Sequence, residues 1–482
     1  MPLEERYRNL IGGEWAEARS GATRLIVNPA TGETMAEVPL NDCTDAQAAL
    51  AAAEAAFPGW AATPAPKRAA LLRKAAGVLY QRQEEIARLL TMEQGKPLAE
   101  SRGEVAGAAQ SLEYYAEEAT RNYGLTIPTG SANRRSTVIY QPVGVVAAIS
   151  PGNYPVGLCA WKVAPALAAG CTLVCKPAAE TPLAVTAFAG CLHDAGLPAG
   201  VVNMVCGGAE VGTELVTNPI SRKVSFTGST VTGRKIMAAA AGHIKKLTLE
   251  LGGNCPLIVA RDADLDQAAK AAAYRAFRNM GQVCNSVNRV YVEAPVHDAF
   301  VERLVAAAQT LRIADGLEVP NADLGPMTTD AGLAKVEQHV ADALARGAEL
   351  AAGGRAPAGA GFERGLFYEP TVLLGATHDM LVMSEETFGP VAPVMAVDSM
   401  QEAVRLANAS PYGLVAYLFT RDLRTAHTVS EALEFGTVGI NNVGGGEVAY
   451  PYGGWKESGL GVELGHAGLH EYLLTKHIRV DF

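Results

Sequence analysis

Apolar positions recur at near-helical spacing over the first quarter of the chain. Thr44 stands ready to cap an Ala-rich stretch that runs to about Phe57. Leu71, Leu72, Leu79, Ile86 and Leu90 mark a second helix over 66–91, and Pro97 opens a third that Gly124 ends. The pattern then changes. Short β-branched runs at 143–150, 172–176, 201–206, 223–227 and 247–251 alternate with helical ones at 156–169, 182–195, 210–216 and 230–241. Strands that are apolar throughout, separated by helices, predict a parallel sheet covered on both faces. A doubly wound nucleotide-binding domain is the natural form. A second α/β series follows, with strands at 256–260, 289–292, 391–397, 414–420 and 437–441 and helices at 265–277, 297–311 and 331–345.

Two segments fit neither series. The basic, β-branched piece 134–141 and the tail 476–482 both have strand character and are expected to pair with each other. The expected fold is therefore α/β. A doubly wound parallel-sheet cofactor domain spans 1–121 and 142–250, an α/β catalytic domain spans 251–445, and a small strand-rich oligomerisation element takes 122–141 and 460–482.

Length supports this division, since 482 residues exceed one ordinary core. Charge narrows the partners. A net charge of −10 disfavours nucleic acid and anionic membranes, which need clustered Lys and Arg. The first residues, Met1 to Arg8, carry no apolar leader, and no apolar run approaches the ~18 residues that span a bilayer. A cytoplasmic protein is expected. Eight cysteines in this length do not suggest a disulfide scaffold, and neither Cys171/Cys175 nor His466/His470 has the companions that a metal site needs. No metal is expected.

Five segments carry candidate chemistry. Cys284 lies in a Gly- and polar-rich loop between a helix and a strand, where a thiol is free to attack an electrophile. A small buried hydrophobe is the plainer use of a cysteine. Glu250 ends an apolar strand and precedes Gly252-Gly253; poor solvation there raises a carboxyl pKa towards that of a general base. Pairing with neighbouring backbone is the plainer role for it. Phe226-Thr227-Gly228-Ser229-Thr230-Val231-Thr232-Gly233 joins strand to helix, and Gly228 admits a ligand to the free N–H groups of the helix start. It has neither G-x-G-x-x-G nor Walker A spacing, and Gly459-Leu460-Gly461, with no strand before it, reads as a decoy. Ile149-Ser150-Pro151-Gly152-Asn153 follows a strand, so the Asn153 amide is either a helix cap or a donor to an oxyanion. Lys176 closes a strand at the carboxyl edge, where a ribose or phosphate binds in open α/β sheets.

In this order the segments resemble the aldehyde dehydrogenase superfamily over essentially the whole chain. Gly281-Gln282-Val283-Cys284 is similar to its nucleophile motif, and Glu250-Leu251-Gly252-Gly253-Asn254 to its general-base motif. Glu385-Glu386-Thr387-Phe388-Gly389-Pro390 resembles the segment that holds the nicotinamide ribose, through Glu386, with Phe388 beside the ring. Pro451 to Gly459 resembles the C-terminal signature. The resemblance implies NAD(P)-dependent oxidation of an aldehyde to an acid. Cys284 forms a thiohemiacetal and then a thioester, Asn153 serves the oxyanion, and Glu250 activates water. It also places Ile149, Ser150, Pro151, Gly152, Asn153, Lys176, Ala179, Glu180, Gly208, Gly228, Ser229, Thr232, Glu250 and Leu251 around the cofactor, and implies homodimers or homotetramers.

Within the superfamily, Met92-Glu93-Gln94-Gly95-Lys96-Pro97 and Phe277-Arg278-Asn279 look closest to succinate-semialdehyde dehydrogenases. That likeness gives Arg278 a substrate carboxylate to grip and lines the substrate site with Trp161, Asn285 and Gly446. Trp161 stands where a second arginine is expected, and Gly444-Gly445-Gly446 replaces a serine-bearing loop. Trp161 instead fits the betaine- and aminoaldehyde-oxidising branches, so a betaine- or aminoaldehyde-type substrate competes with the semialdehyde. An acylating enzyme that uses coenzyme A is a rival chemistry, which Glu250 argues against. A non-catalytic protein on the same scaffold is a rival of another class. In NAD-preferring relatives a glutamate occupies the place of Ala179, so NADP is favoured over NAD. Glu180 is left either pointing away or reaching the ribose.

Overall fold

Residues 7–359 and 361–482 are described by a computed structural model of the chain. The reading of the first six residues lies outside them.

An eight-stranded sheet carries the first α/β series. Its order is Glu14–Ala16, Asn9–Ile11, Val202–Met204, Thr172–Lys176, Val145–Ile149, Ser221–Thr227, Lys246–Glu250 and Gly459–Leu460. The five inner strands run parallel. Their side chains are almost all buried because helices cover both faces. On one face pack the helices Ala65–Gln81, Gln83–Gln94, Leu98–Ala119, Pro155–Ala169 and Leu183–Asp194, around Leu72, Leu112, Leu167 and Phe188. On the other lie Cys43–Ala61, Ala209–Thr217 and Thr230–Ala240, around Leu50, Val174 and Leu215.

A seven-stranded sheet carries the second series: Glu349–Ala352, Thr371–Leu374, Val391–Val397, Val287–Glu293, Cys255–Val259, Val415–Phe419 and Thr437–Ile440. All of it is parallel except the first strand. The third sheet is antiparallel and has three strands, Leu473–Asp481, Arg134–Pro142 and Leu125–Ile127. Arg134–Pro142 pairs with the tail along its whole length, from Leu473↔Pro142 to Asp481↔Arg134, as its β-branched pattern predicts.

Several boundaries differ from the sequence reading. Asp42, not Thr44, caps the first helix, because its carboxylate accepts from the Thr44 amide at 2.7 Å. The segment 66–91 is two helices, joined at Arg82. The third helix ends at Ala119, short of Gly124. The decoy Gly459-Leu460 is an edge strand of the first sheet, paired with Leu249 and Glu250, since a glycine there lets the backbone approach. Leu469, Tyr472 and Leu473 also pack into the first core, and the antiparallel strand runs on from Leu473 to Asp481.

Candidate active site

Cys284 is presented by an unusual turn. The helix Leu265–Phe277 ends at Arg278, and Asn279, Met280 and Gly281 then adopt φ of 48°, 57° and 67° in succession. Neighbouring segments hold this left-handed run. Gln94 Nε2 donates to Asn279 Oδ1 at 3.0 Å, and Asn279 Nδ2 donates to the Asn153 carbonyl at 3.2 Å. Asn153 Nδ2 in turn donates to the Gln282 carbonyl at 2.8 Å. A Cβ at Gly281 would lie 2.0 Å from the Gly389 carbonyl oxygen, so only glycine fits.

Glu250 ends the strand Lys246–Glu250, and the backbone after it passes under two other site residues. Glu386 Oε1 accepts from the Gly253 amide at 3.1 Å, and a Cβ at Gly252 would lie 2.6 Å from Glu386 Oε2. A Cβ at Gly253 would lie 2.4 Å from the Cys284 carbonyl oxygen. The glycine pair thus lets the nucleophile loop and the Glu386 loop close on the end of this strand.

Two cavities meet at this point. One, of about 460 Å³, is lined by Trp161, Glu250, Arg275, Arg278, Asn285 and Gly446 among others. The second, of about 440 Å³, is lined by Pro151, Gly152, Glu180, Gly228, Ser229, Leu251, Glu386 and Phe388 among others. Asn153, Leu158, Thr227 and Cys284 line both. A thiol and an amide therefore stand at the junction of two compartments, each large enough for part of a reaction pair.

Burial pushes the Cys284 thiol up to about 11, although the Tyr452 hydroxyl at 3.6 Å opposes this. Both carboxyl oxygens of Glu250 are buried and have no hydrogen-bond partner among the described residues. Burial, with the Glu463 carboxylate near by, holds its carboxyl well above the usual range. Glu463 accepts from Lys162 at 2.7 Å and from Ser225 at 3.1 Å, and its second oxygen has no partner among the described residues. Burial raises Glu386 to about 7.

The substrate candidates Trp161, Arg278, Asn285 and Gly446 gather in the first cavity with all three catalytic candidates. The cofactor candidates divide. Ile149, Ser150, Lys176, Ala179, Gly208, Thr232 and Glu250 do not line the second cavity, and Glu250 lines the first instead. Lys176 is buried and donates to the Pro177 carbonyl at 3.2 Å. Ala179 lines a small neighbouring hollow with Arg24, while Glu180 reaches the second cavity and pairs with Arg24 at 3.5 Å. Ser229 caps the helix Thr230–Ala240, accepting from the Thr232 amide at 3.3 Å. Sequence reasoning gave no role to Lys162, Arg275, Tyr452 or Glu463. Arg275 stands one helical turn before Arg278, which was its only signal.

The sequence profile of the aldehyde dehydrogenase family matches residues 15–478. A succinate-semialdehyde dehydrogenase [NADP(+)] of Escherichia coli is 46% identical, over 98% of this chain and 97% of its own. A glutarate-semialdehyde dehydrogenase of Pseudomonas putida is 45% identical, over 99% and 98%. The crystal structure of a succinate-semialdehyde dehydrogenase from Burkholderia pseudomallei superposes with a TM-score of 0.97 at 47% identity, covering 99% of this chain and 98% of that one. The chain belongs to the aldehyde dehydrogenase family and is an oxidoreductase that acts on aldehydes.

Proposed function

We propose that the chain oxidises an aldehyde bearing a distal carboxylate to the corresponding diacid, with NADP ahead of NAD as hydride acceptor. The observation that carries this is the placing of Cys284 and Asn153 where the two cavities meet, with the unpartnered Glu250 carboxyl lining one of them. The Cys284 thiolate attacks the carbonyl carbon, a C–S bond forms, and the oxygen takes the negative charge. One Asn153 amide hydrogen is spent on the Gln282 carbonyl. Its second hydrogen and the Cys284 backbone N–H serve the oxyanion.

Gly228, Ser229, Glu386 and Phe388, which line the second cavity, would hold a nicotinamide dinucleotide. The helix start at Gly228–Thr230 suits its phosphates and the buried Glu386 carboxyl suits its ribose. The chemistry it supplies when bound is hydride acceptance. The Cys284 thioester that results is hydrolysed by water whose proton Glu250 takes. The raised affinity of Glu250 for a proton suits that task. The name of the Escherichia coli relative, and the methyl side chain of Ala179 beside Arg24, support NADP.

The test is reduction of NADP or NAD on addition of succinate semialdehyde, glutarate semialdehyde, butanal and betaine aldehyde, with and without coenzyme A. Release of free diacid without coenzyme A is expected. A requirement for coenzyme A would replace hydrolysis with acyl transfer. The Trp161–Tyr452 edge contact, with centroids 5.8 Å apart, favours a quaternary ammonium as the second reading.

A further inference from the structure

Two arginines from the end of one helix line the 460 Å³ cavity, and they differ in how they are neutralised. Arg278 Nε donates to Glu100 Oε1 at 2.6 Å, and its guanidinium lies over the rings of Tyr154 and Tyr274. Its charge is already matched by a carboxylate whose side chain is only 10% exposed. Arg275 is 1% exposed, yet among the described residues its guanidinium donates to one acceptor only, the Val443 carbonyl, and otherwise stands over the Tyr417 ring, 6.0 Å from its centroid. Nε donates to that carbonyl at 2.8 Å, and Nη2 also donates to it. No carboxylate lies within ion-pair distance of Arg275 among the described residues. A guanidinium buried with a single neutral acceptor and one aromatic ring has no countercharge, and a carboxylate from a ligand would supply it.

The surroundings keep that face approachable. The loop Gly444-Gly445-Gly446 runs past Arg275, and a Cβ at Gly445 would come to 3.7 Å from Nη2. A Cβ at Gly446 would contact Leu464, Tyr452 and Trp161 at 3.3, 3.4 and 3.9 Å. The glycine run therefore leaves room for the indole of Trp161 and keeps side chains off the arginine. Two of the carboxylates that line the cavity are already matched by buried lysines behind them: Glu104 pairs with Lys96 at 2.5 Å and Glu463 with Lys162 at 2.7 Å. Glu447, exposed at the rim, and Glu250 add no positive charge.

We infer that Arg275, rather than Arg278, binds the distal carboxylate of the aldehyde substrate, and that Trp161 and the glycine run form the rest of that subsite. This rests on the proposed carboxylate-bearing substrate. Arg278 is then a positioning residue that, with Glu100, fixes Tyr154 and the wall of the cavity.

The experiment compares kcat/KM for succinate semialdehyde with that for butanal, in wild type and in Arg275→Met, Arg275→Lys and Arg278→Met. Wild type is expected to prefer the charged aldehyde. In Arg275→Met that preference falls at least about tenfold, chiefly through KM, the scale of one charge-assisted hydrogen bond. Arg275→Lys retains part of it, and Arg278→Met loses less than Arg275→Met. The pH profile of Cys284 alkylation separates recognition from thiol activation. An equal loss on both aldehydes with a shifted profile overturns the inference. A measurement on wild type alone stands if the Met variant does not fold: succinate should compete with butanal at least about tenfold better than butyrate does. Equal inhibition overturns the inference. Turnover of betaine aldehyde with none of either semialdehyde overturns the substrate reading itself. A wild-type preference for semialdehyde that survives Arg275→Met overturns only the role of Arg275.

Discussion

The Cys284 carbonyl oxygen lies where a side chain at Gly253 would begin, 2.4 Å from an ideal Cβ. The general-base candidate and the nucleophile loop are thereby locked into one relative position. Gly253→Ala is expected to push the loop away and to lower kcat at least about a hundredfold, since small displacements of reacting groups cost that much. The overpacking also costs about 1–3 kcal/mol of stability. Steady-state kinetics and thermal unfolding check both. Wild-type rates with an unchanged Tm would show that the contact is slack.

The thiol of Cys284 is raised to about 11 by burial, so its reactive form grows as pH rises. Inactivation by iodoacetamide should accelerate roughly tenfold per pH unit from 7 to 10, with no plateau in that range. The Glu250 carboxylate adds to the raised value. Glu250→Gln should therefore move the profile to lower pH. The same variant should give a burst of reduced cofactor and then stall at the thioester. A profile that levels off near pH 7, or steady turnover in the variant, contradicts these roles. Cys284→Ser should still bind cofactor and lose nearly all turnover.

Ala179 sits beside Arg24, one residue before the Glu180 that reaches the second cavity. Ala179→Glu places a second carboxylate against that arginine and opposes a 2′-phosphate. The ratio of kcat/KM for NADP to that for NAD should fall about tenfold, or ~1.4 kcal/mol. An unaltered ratio would show that position 179 does not face the adenine ribose.

The three-stranded sheet exposes Leu125, Ile127, Ile139, Leu474, Ile478 and Val480. Apolar residues on a sheet with free edges favour pairing between chains. Sedimentation is expected to show a dimer or tetramer at micromolar concentration. Ile478→Lys together with Val480→Lys should shift it towards monomer. A wild-type monomer would refute the assembly.

Much of the fold is legible as local pattern. The strand Thr172–Lys176 and the helix Leu265–Phe277 have the limits that apolar spacing predicts. The motifs around Cys284, Glu250 and Asn153 do gather in one place. What escapes is long-range pairing. The strand Asn9–Ile11 joins the parallel strands of the first sheet through Leu10↔Met204, a partner almost two hundred residues away. The ion pair of Arg278 with Glu100 spans a similar distance. Nothing near Phe277 in the chain says that one arginine will be neutralised and the other left for a ligand. The break at Arg82 escapes for the opposite reason: apolar spacing continues across it, and only the backbone turns.

The left-handed run Asn279-Met280-Gly281 has a consequence for engineering. Non-glycine residues at positive φ each cost on the order of 1–3 kcal/mol unless their surroundings hold them. Here the holders are Gln94, Asn153 and Gly389, which lie far apart in the chain. The nucleophile segment is therefore not a portable cassette. Grafted alone onto another scaffold it would relax to an ordinary loop. To keep its shape a designer must transplant the amide ladder along with it.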